Sequence, residues 1–234
     1  MSKVSVISVR RALDELTYAG RIIRHQGVGT FVAPERLVSE PTHSGTLLDT
    51  ILDSEPGLNF ETKLLSIQVG FPSAAHAKAL EIETGQPVWE VVRLRSLELK
   101  PKVLEQAVLP LSRVASLDEK RLAAGESLYR LLEERFNLTD AFVEQTIKVD
   151  QPTQWECTNL GVTTKDVVVR IRGVSFSEDG IPFDSYQQTY RARDFVFYVT
   201  GSQHPTLLKP SEARRWTITP LGHPDEEKIS PLTN

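Results

Sequence analysis

The sequence predicts an α+β protein: one helix and a short hairpin at the front, followed by a larger domain built on a largely antiparallel sheet. Three observations carry that prediction. Strand-like runs bounded by turn residues recur between residues 60 and 199 and alternate with helical patterns. The segment Val91-Val92-Arg93-Leu94-Arg95 returns as Val168-Val169-Arg170-Ile171-Arg172, each copy followed by a turn and a second strand near a proline, Pro101 or Pro182, which suggests a pseudo-symmetric sheet. Charge is divided as well. Residues 1–33 hold five cations against two acids, or +3, while the whole chain is −4, which leaves −7 for residues 34–234.

At the front, Ser5 offers a side-chain oxygen to the free N–H groups that begin a helix, and Gly20 suits its end. Between them Val6, Val9, Leu13 and Leu16 recur at helical spacing and form an apolar stripe, while Ile7, Arg11 and Asp14 fall on the other side. The runs Arg21–Arg24 and Thr30–Val32 then read as strands around Gln26-Gly27-Val28-Gly29, whose glycines suit an exposed hairpin tip. The basic excess of this stretch suits attraction to phosphate.

Pro34 closes the hairpin, and polar, turn-forming residues make 34–44 a linker, with a short helical stretch around Thr46–Leu52. The larger domain, 45–200, has strands expected near 60–70, 86–99, 102–110, 141–150, 166–178, 181–191 and 194–199. Helices are expected near 73–80, 126–136 and 152–160. Residues 201–234 carry repeated prolines without sustained periodicity and read as an extended tail.

Composition limits the function. With 40% hydrophobic and 25% charged residues, no apolar run of membrane-spanning length and no secretory signal pattern, the chain reads as a cytoplasmic globular protein. The single cysteine, Cys157, has no partner for an internal disulfide and reads as a packed thiol, and the five histidines lack ligand spacing, so neither a metal site nor a cofactor is expected. No nucleophile and base stand together in the sequence, so no catalytic residue is assigned.

One strand pair does carry chemistry. Side chains alternate along a strand, so Arg93 and Arg95 share a face with Trp89, Val91 and Leu97, with the two cations roughly 7 Å apart on an otherwise apolar surface. Such a pair needs anionic company. Glu105 on the partner strand can neutralise one internally, or the pair can hold a phosphate or carboxylate of a ligand.

The run VSVISVRRAL followed by RHQGVGTFV resembles the winged helix-turn-helix of the GntR family of bacterial transcription regulators. The resemblance implies that Ser8, Arg10, Arg11, Arg24 and the wing glycines Gly27 and Gly29 contact operator DNA. The two helices that precede this run in the family are missing before Met1, and Val6 stands where the family commonly has arginine. From about Thr62 to Val199 the segments SAAHAKAL, GQPVWEVVRLR, PKVLEQAVLP, ESLYRLLEERF and VVVRIRGVSFSEDGIPFDSYQQTYRARDFVFYV resemble the UTRA effector-binding domain of the HutC subfamily, which has a chorismate-lyase-like fold. That resemblance implies an effector pocket lined by Arg93, Arg95, Glu105, Asp184 and Tyr190. It also implies a small, anionic effector such as a sugar phosphate or an organic acid. Ser127 either caps the helix it opens or reaches the effector. YRARD is one residue longer than the family's common YRGD, which leaves Arg191 and Arg193 as alternatives, and Asp184 replaces a more usual glutamate.

The function so implied is a ligand-responsive regulator, a repressor working as a homodimer on operator DNA. Two alternatives stand beside it: a truncated module that binds effector and dimerises without gripping DNA, and a lyase-like enzyme.

Overall fold

The computed structural model describes residues 5–18, 22–25, 29–32, 37–39, 60–197 and 199. Helix α1 (Val6–Tyr18) begins at Ser5, whose Oγ accepts the Ser8 amide at 3.1 Å. Strands β1 (Ile22–His25) and β2 (Gly29–Val32) pair antiparallel, Ile22 opposite Val32 and His25 opposite Gly29. Gly29 has φ +139°, a backbone region that side chains rarely tolerate. Arg24 Nη1 lies 2.6 Å from Asp14 Oδ1 and ties the hairpin to the helix. Val6, Val9 and Leu16 remain exposed, so no described element covers the apolar stripe of α1. Gly20, Gly27, the helical stretch at 46–52 and the tail at 201–234 lie outside the described residues.

Within the stretch expected as linker, β3 (Leu37–Ser39) forms a strand and pairs in parallel with β10 (Phe195–Phe197). The main sheet contains β4 (Phe60–Gly70), β5 (Val88–Leu97), β6 (Lys100–Pro110), β7 (Phe142–Asp150), β8 (Val168–Phe176) and β9 (Pro182–Arg191). Its order is β4-β5-β6-β9-β8-β7, and every neighbouring pair is antiparallel. The order is a palindrome about β6 and β9, as expected of a pseudo-symmetric sheet.

In each half a short helix follows the first strand: α2 (Ala74–Ala79), capped by Ser73, after β4, and α5 (Gln154–Leu160), capped by Thr153, after β7. Strands β5 and β8 both start 15 residues after these caps (88 − 73 and 168 − 153), so equivalent caps and strand starts here lie 80 residues apart. The five-residue echo has an offset of 77 and is therefore not the symmetric equivalent. An odd shift reverses the side-chain alternation. Arg93 shares its face with Ile171, across Glu105 and Gln188, whereas Arg170 and Arg172 point to the other side.

The two faces of the sheet are covered differently. On the front, α3 (Glu119–Ala123) and α4 (Leu128–Phe136) bury Leu122, Leu128, Leu131 and Leu132 against Val91, Ala107 and Leu109. Each such leucine contributes about 1.5–3 kcal/mol of transfer free energy. On the back, Leu80 after α2 packs with Val88 and Val108, and Leu160 of α5 packs with Leu104 and Val168. A second front cluster joins Leu37, Val103, Val169, Ile171, Tyr186, Tyr190 and Phe195, which fastens the β3–β10 pair to the sheet.

Candidate functional site

Between the two apolar clusters of the front face lies a patch of buried charge. Arg93 stands directly opposite Glu105, and both are almost fully buried, at 4% and 5% exposure. Glu105 meets both arginines: Oε2 is 2.9 Å from Arg93 Nη2, and Oε1 is 2.7 Å from Arg95 Nε. Arg95 also donates from Nη1 to Thr62 Oγ1 on β4 at 3.3 Å. Burial pushes the Glu105 carboxyl up, but the adjacent Arg95 and Arg93 outweigh it and hold the group below the usual range. For Arg93 burial dominates and lowers its pKa despite Glu105 beside it. Two guanidiniums meet one carboxylate in this cluster, and Arg93 Nη1, although buried, has no hydrogen-bond partner among the described residues. Such a group is costly unless something else meets it.

Asp184 comes to the same region from β9 and is fully buried. Its Oδ1 accepts the Val108 amide at 3.1 Å, and its Oδ2 accepts the hydroxyl of Tyr129 on α4 at 2.6 Å. Burial raises its pKa to about 7 despite the nearby Arg93, so near neutrality it is only partly ionised. The Tyr129 hydroxyl lies 3.2 Å from Ser175 Oγ, and burial raises its own pKa well above the usual value. Gln188, opposite Glu105 on β9, is buried and accepts the Tyr190 hydroxyl at 2.6 Å. Tyr190 itself is buried, with its ring edge-on to Phe195 and Phe197 at centroid distances of 4.9 and 5.1 Å.

Of the residues expected at the effector site, Arg93, Arg95 and Glu105 thus form one cluster with Asp184 nearby, while Tyr190 is built into the adjoining aromatic cluster. Ser127 stands at the head of α4, where its Oγ accepts the Arg130 amide at 3.5 Å, so it acts as a cap. Arg191 turns to the sheet, donating to the Pro101 carbonyl at 3.2 Å, and Ala192–Asp194 form a single 3₁₀ turn. Tyr129, Ser175 and Gln188 were not expected. Gln188 had a signal, since alternation along β9 puts Asp184, Tyr186, Gln188 and Tyr190 on one face. At the hairpin end, Ser8, Arg10 and Arg11 are exposed, with Arg11 3.2 Å from Glu15, and Arg24 is paired with Asp14.

The back face carries a separate, internally balanced pair. Arg170 donates from Nε to Glu156 Oε1 at 2.8 Å and reaches Oε2 with Nη2 at 2.5 Å, while its Nη1 is 2.8 Å from Asp150. Among the described residues no group of His, Cys, Asp and Glu is placed to hold a metal, and no helix is long and apolar enough to cross a membrane.

Comparison with known proteins places this geometry. Residues 55–196, well over half of the chain, match the UTRA domain. The chain is 27% identical over 194 residues to the HTH-type transcriptional regulator GmuR of Bacillus subtilis (strain 168), covering 82% of this chain and 81% of that one. It is 28% identical over 196 residues to the mannosyl-D-glycerate transport/metabolism system repressor MngR of Escherichia coli (strain K12), covering 83% and 79%. Among solved structures, PhnF from Mycobacterium smegmatis superposes with a TM-score of 0.71 at 21% identity, covering 86% of this chain and 87% of that one, a likeness of fold. The named relatives are regulators, not enzymes. The match over residues 55–196 shows that this chain belongs to the UTRA-domain family, and with its relatives it is a transcription regulator of the GntR type.

Proposed function

We propose that the effector of this regulator is a small anion, a sugar phosphate or an organic acid, held on the front face by Arg93 and Arg95. Glu105 orients the two guanidiniums, Asp184 and Tyr129 face the same region from β9 and α4, and Tyr190 shapes its edge. The protein acts in the cytoplasm as a homodimeric repressor. Ser8, Arg10, Arg11 and Arg24, with the wing glycines Gly27 and Gly29, meet operator DNA. One observation carries the effector reading: the buried, unpartnered Nη1 of Arg93 in a cluster where two guanidiniums meet one carboxylate.

Thermal unfolding of the full chain with inorganic phosphate, glucose 6-phosphate, citrate or glucose tests it. An anion at about a hundred times its dissociation constant adds about 2.7 kcal/mol, enough to raise Tm by several degrees. We expect such a rise with at least one anion, none with glucose, and its loss in Arg93→Lys. A glucose shift as large as the anion shift, or an unchanged anion response in Arg93→Lys, would overturn the reading.

A further inference from the structure

The back face holds a cleft of about 730 Å³ that effector binding on the front face does not use. Helix α2 forms one wall with Ala75, His76 and Ala79, and the floor crosses β5, β6, β9, β8 and β7. Its volume falls within the range of small-ligand sites, about 300–1,000 Å³. At about 4.8 Å per strand, the floor is roughly 19 Å long.

The floor has a direction. Along one row of neighbours lie Gln106, Gln187 and Arg172. Arg172 Nε can only donate, and at 2.6 Å it fixes the carbonyl of the Gln187 amide toward itself. The Gln187 amide nitrogen must then donate to Gln106 Oε1, at 3.1 Å, which leaves the Gln106 NH₂ to donate outward. The terminal nitrogens of Arg172 have no carboxylate within ion-pair distance among the described residues. Glu144 lies on β7, diagonal to Arg172 across the β7–β8 pairing and about 7 Å away by backbone spacing, yet the two do not pair. Among the described residues, one floor therefore presents a guanidinium whose terminal nitrogens carry no ion pair, a carboxylate without an ion pair and a row of oriented amides.

We propose that this cleft is a second binding site, for a zwitterionic ligand of the α-amino-acid or short-peptide class. The ligand carboxylate lies on Arg172 and its ammonium on Glu144. The remainder runs over the Gln187 and Gln106 amides, beneath Ala75 and Ala79 of α2. Shape disfavours a second copy of the chain, because a two-fold contact sets a patch against itself and two facing clefts would enclose a void. Glu90 and Glu144 likewise oppose the phosphates of a nucleic acid.

Calorimetric titration of the full chain with each standard L-amino acid and with glycylglycine tests the assignment. N-acetylglycine, which lacks the ammonium, and glycinamide, which lacks the carboxylate, serve as controls. We expect binding by at least one zwitterion and at least about tenfold weaker binding of the blocked compounds, since each loses a charge-assisted contact. Arg172→Met and Glu144→Gln, both at exposed positions and so compatible with folding, should each weaken it comparably, while Arg93→Lys leaves it unchanged. The proposal fails if no zwitterion binds, if the blocked compounds bind equally, or if binding survives Arg172→Met and Glu144→Gln. Loss of binding in Arg93→Lys alone would move the ligand to the front face and overturn the assignment.

Discussion

Asp184 is a carboxyl group placed where its charge is costly. Its folded-state pKa of about 7 lies above the ordinary 3.8, so between those values the folded protein holds a proton that the unfolded chain has released. Stability from this group is therefore complete at low pH and is lost as pH rises through about 7, by on the order of 4 kcal/mol. We predict that Asp184→Asn, which cannot ionise, gains stability over the unaltered protein at pH 8 and much less at pH 5. Urea midpoints at both pH values check it, and an equal difference at the two would exclude the titration. Gly173 makes a second, steric case. It pairs with Tyr186 on one side and Gln145 on the other, and the Tyr186 ring leans across it to donate to Gln145 Oε1 at 3.0 Å. A Cβ there would meet Tyr186 Cζ at 2.6 Å and the Glu144 carbonyl at 2.7 Å. Gly173→Ala should cost about 1–3 kcal/mol, read from the urea midpoint, because a backbone carbonyl does not give way as a flexible side chain does.

Helix α5 has seven residues, and beside the packing of Leu160 one polar side chain, Glu156, joins it to the sheet. Glu156 closes the capping box by accepting the Thr153 amide at 2.7 Å, and also accepts from Arg170 and from Thr189 Oγ1 at 3.0 Å. Burial pushes its carboxyl up, but the bonds from Arg170 and Thr153 bring it down to about 2. Its contribution is thus present above about pH 4.5 and is lost only as pH falls toward 2. Replacing it by alanine leaves buried Arg170 with Asp150 and the Gln151 carbonyl, and without its closest counter-charge. We predict a loss of about 3–5 kcal/mol, and the earliest amide exchange within Gln154–Leu160, followed by hydrogen–deuterium exchange. At this scale the sequence was legible where periodicity ran long enough. The main-sheet strands lie within about two residues of their expected spans, whereas five-residue α3 left too few turns to produce a pattern. The arginine echo misled because identity over five residues says nothing about alternation: an offset of 77 against a structural 80 exchanges the faces.

For the molecule as a whole, the charged half of the site was readable and the rest was not. Alternation and hairpin register are local rules, and they bring Arg93, Arg95 and Glu105 together from a single strand pair. Tyr129 joins Asp184 only because α4 lies across the sheet at one particular angle, a tertiary fact with no local signature. Leu128, Leu131 and Leu132 recur at helical spacing and mark the buried side of α4, but not which polar tip reaches down beside it.

The parallel pairing of β3 with β10 has a mechanical consequence. Leu37, the first residue of β3, is 2% exposed and shares a cluster with Tyr190 and Val103, and Val103 faces Arg95 across the β5–β6 pair. The strand next after the hairpin in the chain is thus seated on the residues beside the arginine cluster, so a change at that cluster reaches β3 through packed side chains. We predict that Leu37→Ala leaves effector affinity and operator affinity each nearly intact while reducing the factor by which one ligand alters the other. Titrating operator with and without effector would measure that factor. If both affinities fell while the factor stayed constant, Leu37 would be a packing residue and no more.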